Sequence, residues 1–120
     1  MANPFCHVEL ACDNPGQSRE FYSQLFNWKY EDTPSPVGQY THIKVGDGTG
    51  GGIMKKMMPQ APTAWLPYVL VDSVDATLDK AKRLGANVVV EKVAVPDMGG
   101  FAVFIDPSGA ALGIWEQAKK

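Results

Sequence analysis

Three observations predict an α+β fold made of two βαβββ repeats, joined in a curved mixed sheet with the helices on its convex face. First, two segments show apolar residues at helical spacing, and each follows an extended apolar run and precedes three short extended runs. Second, this order of elements occurs on both sides of a linker-like stretch, "MPQAPTA", residues 58–64. Third, one offset of 61 residues carries His7 onto Tyr68 and Gly52-Ile53-Met54-Lys55 onto Gly113-Ile114-Trp115-Glu116, so both ends of the unit repeat in one register. A repeat this short does not cover both faces of its own sheet, which is why two copies should associate. Repeat one is expected over residues 1–57, the linker over 58–64 and repeat two over 65–120, in a single domain.

Phe5 to Ala11 reads as the first strand. "DNPG" then offers Asp13 or Asn14 as a helix N-cap, with Pro15 suited to the first turn. The helix runs to about Phe26 on the spacing of Phe21, Tyr22, Leu25 and Phe26, and Asn27 is a candidate left-handed stop. Strands follow at Trp28 to Asp32, Tyr40 to Val45 and Gly51 to Met57, separated by the turn-rich stretches "TPSPVG" and "GDGTG". In the second copy "WLPYVLV" is a strand and "DSVDATLDKAKRLG" a capped helix ending at Gly85. Strands close the chain at Asn87 to Ala94, Gly100 to Asp106 and Ala111 to Gln117.

Of the 120 residues, 45% are apolar and 20% charged, an ordinary globular balance. A net charge of −2 without a basic stripe argues against nucleic acid as a partner. No apolar run approaches the ~20 residues that cross a bilayer, and "MANPF" is no targeting leader, so no membrane association and a cytoplasmic location are expected. Cys6 and Cys12 would lie about 20 Å apart on extended chain, too far for a disulfide, and are read as reduced, buried thiols. The glycines from Gly46 to Gly52 join two strands and lack the GxxxxGK[ST] pattern, so they form a hairpin loop and not a phosphate cradle. "PDMGG" and "TPSPVG" are turns that could also rim a pocket.

Side chains alternate along a strand. In the first strand the apolar set Cys6, Val8 and Leu10 suits the helix, which turns Phe5, His7 and Glu9 to the concave side. By the same alternation Tyr68 and Leu70 share that side in the second copy, with Val69 and Val71 toward the helix.

The stretches "FCHVEL", "FYSQLFNW" and "GGIM" in the first copy, with "YVLVDSVDATLDKAKRLGANV" and "DPSGAALGIWE" in the second, resemble the vicinal oxygen chelate superfamily. That superfamily includes glyoxalase I, bleomycin- and fosfomycin-resistance proteins and extradiol dioxygenases. The resemblance covers nearly the whole chain and implies a curved sheet that cradles a small ligand, often in a homodimer. It also implies a divalent metal (Zn, Ni, Mn or Fe) held by His from a first strand and Glu or His from a last strand. Carried over by position, the four places are His7, Lys55, Tyr68 and Glu116, of which only His7 and Glu116 are ordinary metal ligands. A catalytic site takes at least three protein ligands. Lys55 repels a cation, and a tyrosine ligates well only as phenolate, far from its ordinary pKa of about 10. Glu9 is a possible substitute on the face of His7.

These residues support more than one reading. His7 can be an imidazole hydrogen-bonded to Glu9, Glu116 or Tyr68, a general base, or a metal ligand. Glu116 can pair with Lys55 or ligate an ion. Tyr68 can donate to a ligand's oxygen or fill the sheet centre. His42 reads as a solvent-facing histidine, and Trp65, Trp115, Phe101 and Phe104 as core or dimer-surface aromatics. The preferred function is binding of a small molecule by His7, Glu9, Lys55, Tyr68 and Glu116 around an incomplete metal site. The alternative is a metal-dependent lyase, isomerase or dioxygenase resembling glyoxalase I, with His7 and Glu116 as ligands. A third class is metal-free acid–base catalysis by His7 with Glu9 or Glu116.

Overall fold

In the computed structural model residues 2–35 and 38–118 are described, Ser35 by its backbone alone. The strands are β1 (Phe5–Cys12), β2 (Lys29–Ser35), β3 (Gly38–Lys44), β4 (Gly51–Lys55), β5 (Ala64–Leu70), β6 (Asn87–Val95), β7 (Gly99–Ile105) and β8 (Ala111–Gln117). The helices are α1 (Pro15–Leu25) and α2 (Val74–Arg83), so the chain has the βαβββ order twice, in an α+β fold. Contacts divide it into two units, His7–Leu66 and Met1–Cys6 with Pro67–Lys120.

In the His7–Leu66 unit the strand order is β2-β3-β4-β1, with β1 parallel to β4 and the other neighbours antiparallel. Asn14 caps α1 by accepting from Gln17 N, and Pro15 occupies the first turn. Asn27 is not the left-handed stop. Phe26 ends the helix in extended conformation, its N–H bonded to Tyr22 O and its ring 4.8 Å from that of Trp28. Strand β2 extends past Asp32 into the expected turn, with Pro34 opposite Gln39; as an edge strand it tolerates a proline without loss of a ladder bond. Pro36 and Val37 of that turn lie outside the described residues. Strand β4 stops at Lys55 because the next side chain turns into the loop, Lys56 Nζ reaching Ala61 O at 2.8 Å and Asp13 at 3.1 Å. Leu10, Cys12, Ile43 and Ile53 form the buried core, with Tyr22, Trp28, Tyr30 and Val45 against it.

In the other unit the order is β5-β8-β7-β6, with β5 parallel to β8 and the rest antiparallel. Residues at the N-terminus join it through Pro4 O, which accepts from Leu70 N, and Asn3, which donates to Leu70 O. Ser73 caps α2, Asp75 lies in its first turn and Lys80, Lys82 and Arg83 in its last, all favourable to the helix dipole. Val74 and Leu78 of α2 pack on Val71, Ala102 and Ile114. The "DPSG" turn is held by Asp106, whose carboxylate accepts from Ser108 and Ala110; these bonds, that from Ser108 foremost, hold it below the usual carboxylate range. Both cysteines are free, and among the described residues no helix is long and apolar enough to cross a membrane.

Ile53 and Ile114 are the matched centres of the two cores, at 0% and 2% exposure. Truncating either to Ala should cost about 2–5 kcal/mol, read from urea midpoints at unchanged slope.

Candidate functional site

Burial of Leu10 and Cys12 beneath α1 turns the alternate residues of β1, His7 and Glu9, to the face away from the helix. Strand β3 does the same: Thr41 and Ile43 are buried on the helical side, which leaves Tyr40 and His42 on the other. The Tyr40 hydroxyl lies 2.5 Å from His7 Nε2 and donates to Glu9 Oε1 at 3.0 Å. With that proton committed to the carboxylate, the His7–Tyr40 bond requires Nε2 to carry the imidazole proton, so a neutral histidine heads a chain from His7 through Tyr40 to Glu9. Burial, with a smaller push from His42, lowers the His7 pKa from 6.5 to about 4. The His7 and Tyr40 rings are stacked at 6.0 Å, and His42 meets Tyr40 edge-on at 4.9 Å while its Nε2 lies 3.1 Å from Thr33 Oγ1.

Gly52 is the floor of this cluster. It stands opposite both Glu9 and His42, and a Cβ there would collide with the Tyr40 phenol. The second unit repeats the device at the offset of 61: Tyr68, Phe101 and Gly113 occupy the places of His7, Tyr40 and Gly52. Tyr68 is buried, its ring lies 6.2 Å from Phe101, and it fills the space a Cβ at Gly113 would take.

Lys55 and Glu116 lie elsewhere. Lys55 is in register with buried Cys12, on the helical side of its strand. Glu116 is three residues beyond Gly113 and so faces oppositely to Tyr68. Its Oε1 accepts from Val74 N at the start of α2 at 2.7 Å, and its Oε2 lies 3.5 Å from Lys92. The cation beside Glu116 is therefore Lys92, not the expected Lys55, and the carboxylate serves as a helix cap. The proposed pairing of His7 with Glu116 in a metal site meets the same obstacle: the last-strand residues on the face of His7 and of Tyr68 include glycines, Gly52 and Gly113, which supply no donor. Among the described residues no three His, Cys, Asp or Glu side chains are placed to hold an ion. The donor set thus does not fit the three-ligand site of metal-dependent relatives.

Tyr40 is the member the sequence reading missed. Its signals were its place two residues before His42 and its repeat mate Phe101. His42, expected in solvent, is half-buried against it.

The βαβββ order, present twice, defines a class. The chain matches the Glyoxalase/Bleomycin resistance protein/Dioxygenase superfamily over residues 5–114 and belongs to it. Among named relatives, it is 36% identical over 111 residues to "Putative glyoxylase CFP32" of Mycobacterium tuberculosis, covering 92% of this chain and 42% of that protein. It is 24% identical over 124 residues to the anthracycline biosynthesis protein DnrV of Streptomyces peucetius, covering 91% and 45%. The chain thus spans less than half the length of these relatives. Of solved structures, hypothetical protein BH1468 from Bacillus halodurans C-125 shares the fold at TM-score 0.73 and 15% identity, covering 100% and 98%. Methylmalonyl-CoA epimerase from Mycobacterium tuberculosis does so at 0.69 and 14%, covering 96% and 88%.

Two outcomes test the site. Gly52→Ala should destabilise by about 1–3 kcal/mol through overpacking on Tyr40, and by clearly less in a Tyr40→Ala background, a coupling measurable by a double-mutant cycle. Because folding lowers the His7 pKa from 6.5 to about 4, the unfolded chain binds the extra proton between these values. The His7 contribution is therefore full above pH 6.5 and is lost as pH falls toward 4. His7→Gln should flatten the stability–pH curve in that window, seen in denaturant midpoints of both proteins.

Proposed function

We propose that the chain is a small-molecule-binding member of its superfamily, and that the His7–Tyr40–Glu9 chain forms the polar contacts of the binding face without a metal. The observation that carries this reading is the hydrogen-bonded chain itself. A neutral imidazole, a phenol and a carboxylate are fixed at 2.5 and 3.0 Å on the face away from α1, beside the flat surfaces of Tyr40 and His42. A few convergent polar groups among rings suit a flat, uncharged ligand with oxygen functions. The glycine floor lets the Tyr40 phenol lie flat against the sheet, so that the ligand meets the ring and its hydroxyl. In the other unit the matching ring, Tyr68, is buried against Phe101. The glyoxylase name and the anthracycline biosynthesis name of the relatives agree with oxygen-bearing or polycyclic ligands. Lys55 and Glu116 have no part in this face.

A hydroxyquinone, 1,4-dihydroxyanthraquinone, is a suitable probe. Titration followed by 1H–15N chemical shifts should move the amides of His7, Glu9, Tyr40 and Gly52. Tyr40→Phe should weaken binding about 5- to 10-fold, as expected for one lost hydrogen bond. Shifts confined to residues away from His7, Glu9, Tyr40 and Gly52, or a Tyr40→Phe protein of unchanged affinity for a probe bound there, would overturn the proposal.

A further inference from the structure

On the helical side of the His7–Leu66 unit, Leu10 and Cys12 of β1 are buried, but Val8, on the same side of the strand, is only half-buried. Beside it lies a groove of about 280 Å³, floored by Val8, Ile43 and Val45 and walled by Trp28 and Trp65. The backbone of Gly50 and Gly51 completes the lining. A Cβ at Gly51 would strike the Val8 carbonyl and one at Gly50 that of Ile43, so close strand approach holds both positions to glycine. Because His7, Glu9 and His42 alternate with Val8 and Ile43, this groove opens on the opposite side of the sheet from the His7–Tyr40–Glu9 face.

The lining is almost wholly apolar. Among the described residues no charged side chain borders the groove, and its one polar side chain is that of Thr49. The Gly50 carbonyl is already engaged, accepting from Val8 N at 3.1 Å. Water in such a place finds few partners, and its displacement by an apolar group is favourable. The two indoles meet nearly at right angles, 75° apart with centroids at 6.3 Å, and so form a corner. A flat ring placed there stacks on one indole while meeting the other edge-on, the two arrangements that aromatic pairs prefer. Tyr22 touches both indoles, at 5.7 and 5.5 Å, and Phe26 touches Trp28 at 4.8 Å. The corner is thus braced before any ligand arrives, which lowers the ordering cost of binding. Through Tyr22 the same aromatic surface continues to Phe21 and Phe26, which are exposed.

We infer that the Trp28–Trp65 groove is a second binding site, for an uncharged aromatic ligand of about two fused rings. Size sets that limit. An apolar cavity of about 150 Å³ takes up benzene, and pockets for drug-sized ligands begin near 300 Å³. Chemistry sets the rest: aliphatic floor and indole walls reward ring surface and give a charge no partner. The inference does not rest on the function proposed for the His7–Tyr40–Glu9 face, since no residue is shared between the two.

Titration of the whole chain with naphthalene, followed by 1H–15N chemical shifts, tests the inference. Saturable shifts are expected at the amides of Val8, Ile43, Val45, Gly50 and Gly51 and at the indole N–H groups of Trp28 and Trp65, with the indole of Trp115 unmoved. Decalin, the saturated skeleton of the same two rings, should bind about 2- to 10-fold more weakly, the worth of an aromatic pair beyond its buried area. Trp65 is 37% exposed, so Trp65→Ala should stay folded and weaken naphthalene about 10-fold or more. Val45→Phe, which puts a ring into the groove, should weaken it as well, whereas Leu84→Ala on the other unit should not. The inference is overturned if no saturable shift appears up to the solubility of naphthalene, or if the shifts fall on His7, Glu9 and Tyr40 instead. Decalin binding as tightly as naphthalene, or Trp65→Ala and Val45→Phe proteins of unchanged affinity, overturns it too. So does an affinity that falls as protein concentration rises, the sign that another chain fills the groove.

Discussion

The period of two along a β-strand decides nearly everything functional in this molecule. Burying Leu10 and Cys12 under α1 leaves His7 and Glu9 no choice of face, and burying Thr41 and Ile43 does the same for Tyr40 and His42. The two sets meet because Glu9 and His42 flank Gly52 in register. Any side chain at Gly52 would occupy the volume of the Tyr40 phenol, and any at Gly113 that of the Tyr68 ring. The missing Cβ is therefore what admits an aromatic ring to the surface of each sheet half.

That arrangement has an electrostatic consequence. A charged imidazole in this half-buried place would lose hydration, and burial accordingly keeps His7 neutral down to about pH 4. Tyr40 mediates between the neutral ring and the Glu9 carboxylate. In such a chain each bond strengthens the next, and the phenol oxygen, as acceptor from His7 and donor to Glu9, is fixed in both position and orientation. A ligand approaching this face meets a preorganised hydrogen-bonding surface, which lowers the ordering cost of binding.

Much of this was legible in the sequence. The repeat, the order of elements and the sidedness of β1 follow from hydrophobic periodicity, because periodicity is the direct imprint of burial. The failures have separate physical sources. The offset of 61 aligned Lys55 and Glu116 correctly with each other, but an offset carries no information about facing; counting from Gly52 and Gly113 shows both residues on the helical side. Asn27 was a reasonable left-handed stop by composition, yet the ring contacts of Phe26 with Trp28 and Tyr22 hold Phe26 itself in extended conformation. Tyr40 escaped notice because its role depends on β3 lying beside β4, with β1 on the far side, a neighbour relation that spacing along the chain does not express.

Helix α1 poses a separate physical question: what holds a helix that buries none of its residues? Its polar ties include Arg19 to Asp32 at 2.7 Å, the Ser18 hydroxyl to Cys12 Sγ at 3.5 Å, and the Arg19 guanidinium 5.0 Å above the Tyr30 ring, while the Thr41 hydroxyl of β3 donates to the same Asp32 carboxylate at 2.5 Å. The bonds from Thr41 and Arg19 hold the Asp32 carboxyl below the usual range, but an exposed ion pair of this kind adds little to stability. Arg19 and Asp32 chiefly fix the angle at which α1 lies. Its attachment rests on Tyr22, the α1 residue packed on the Leu10–Ile53 core, which also touches Phe21, Phe26, Trp28 and Trp65. One tyrosine thus serves both the core beneath and the aromatic surface above. Through Tyr22 the position of α1 is therefore coupled to the core under β1 and β3, the strands that present His7, Glu9 and Tyr40 on the other side.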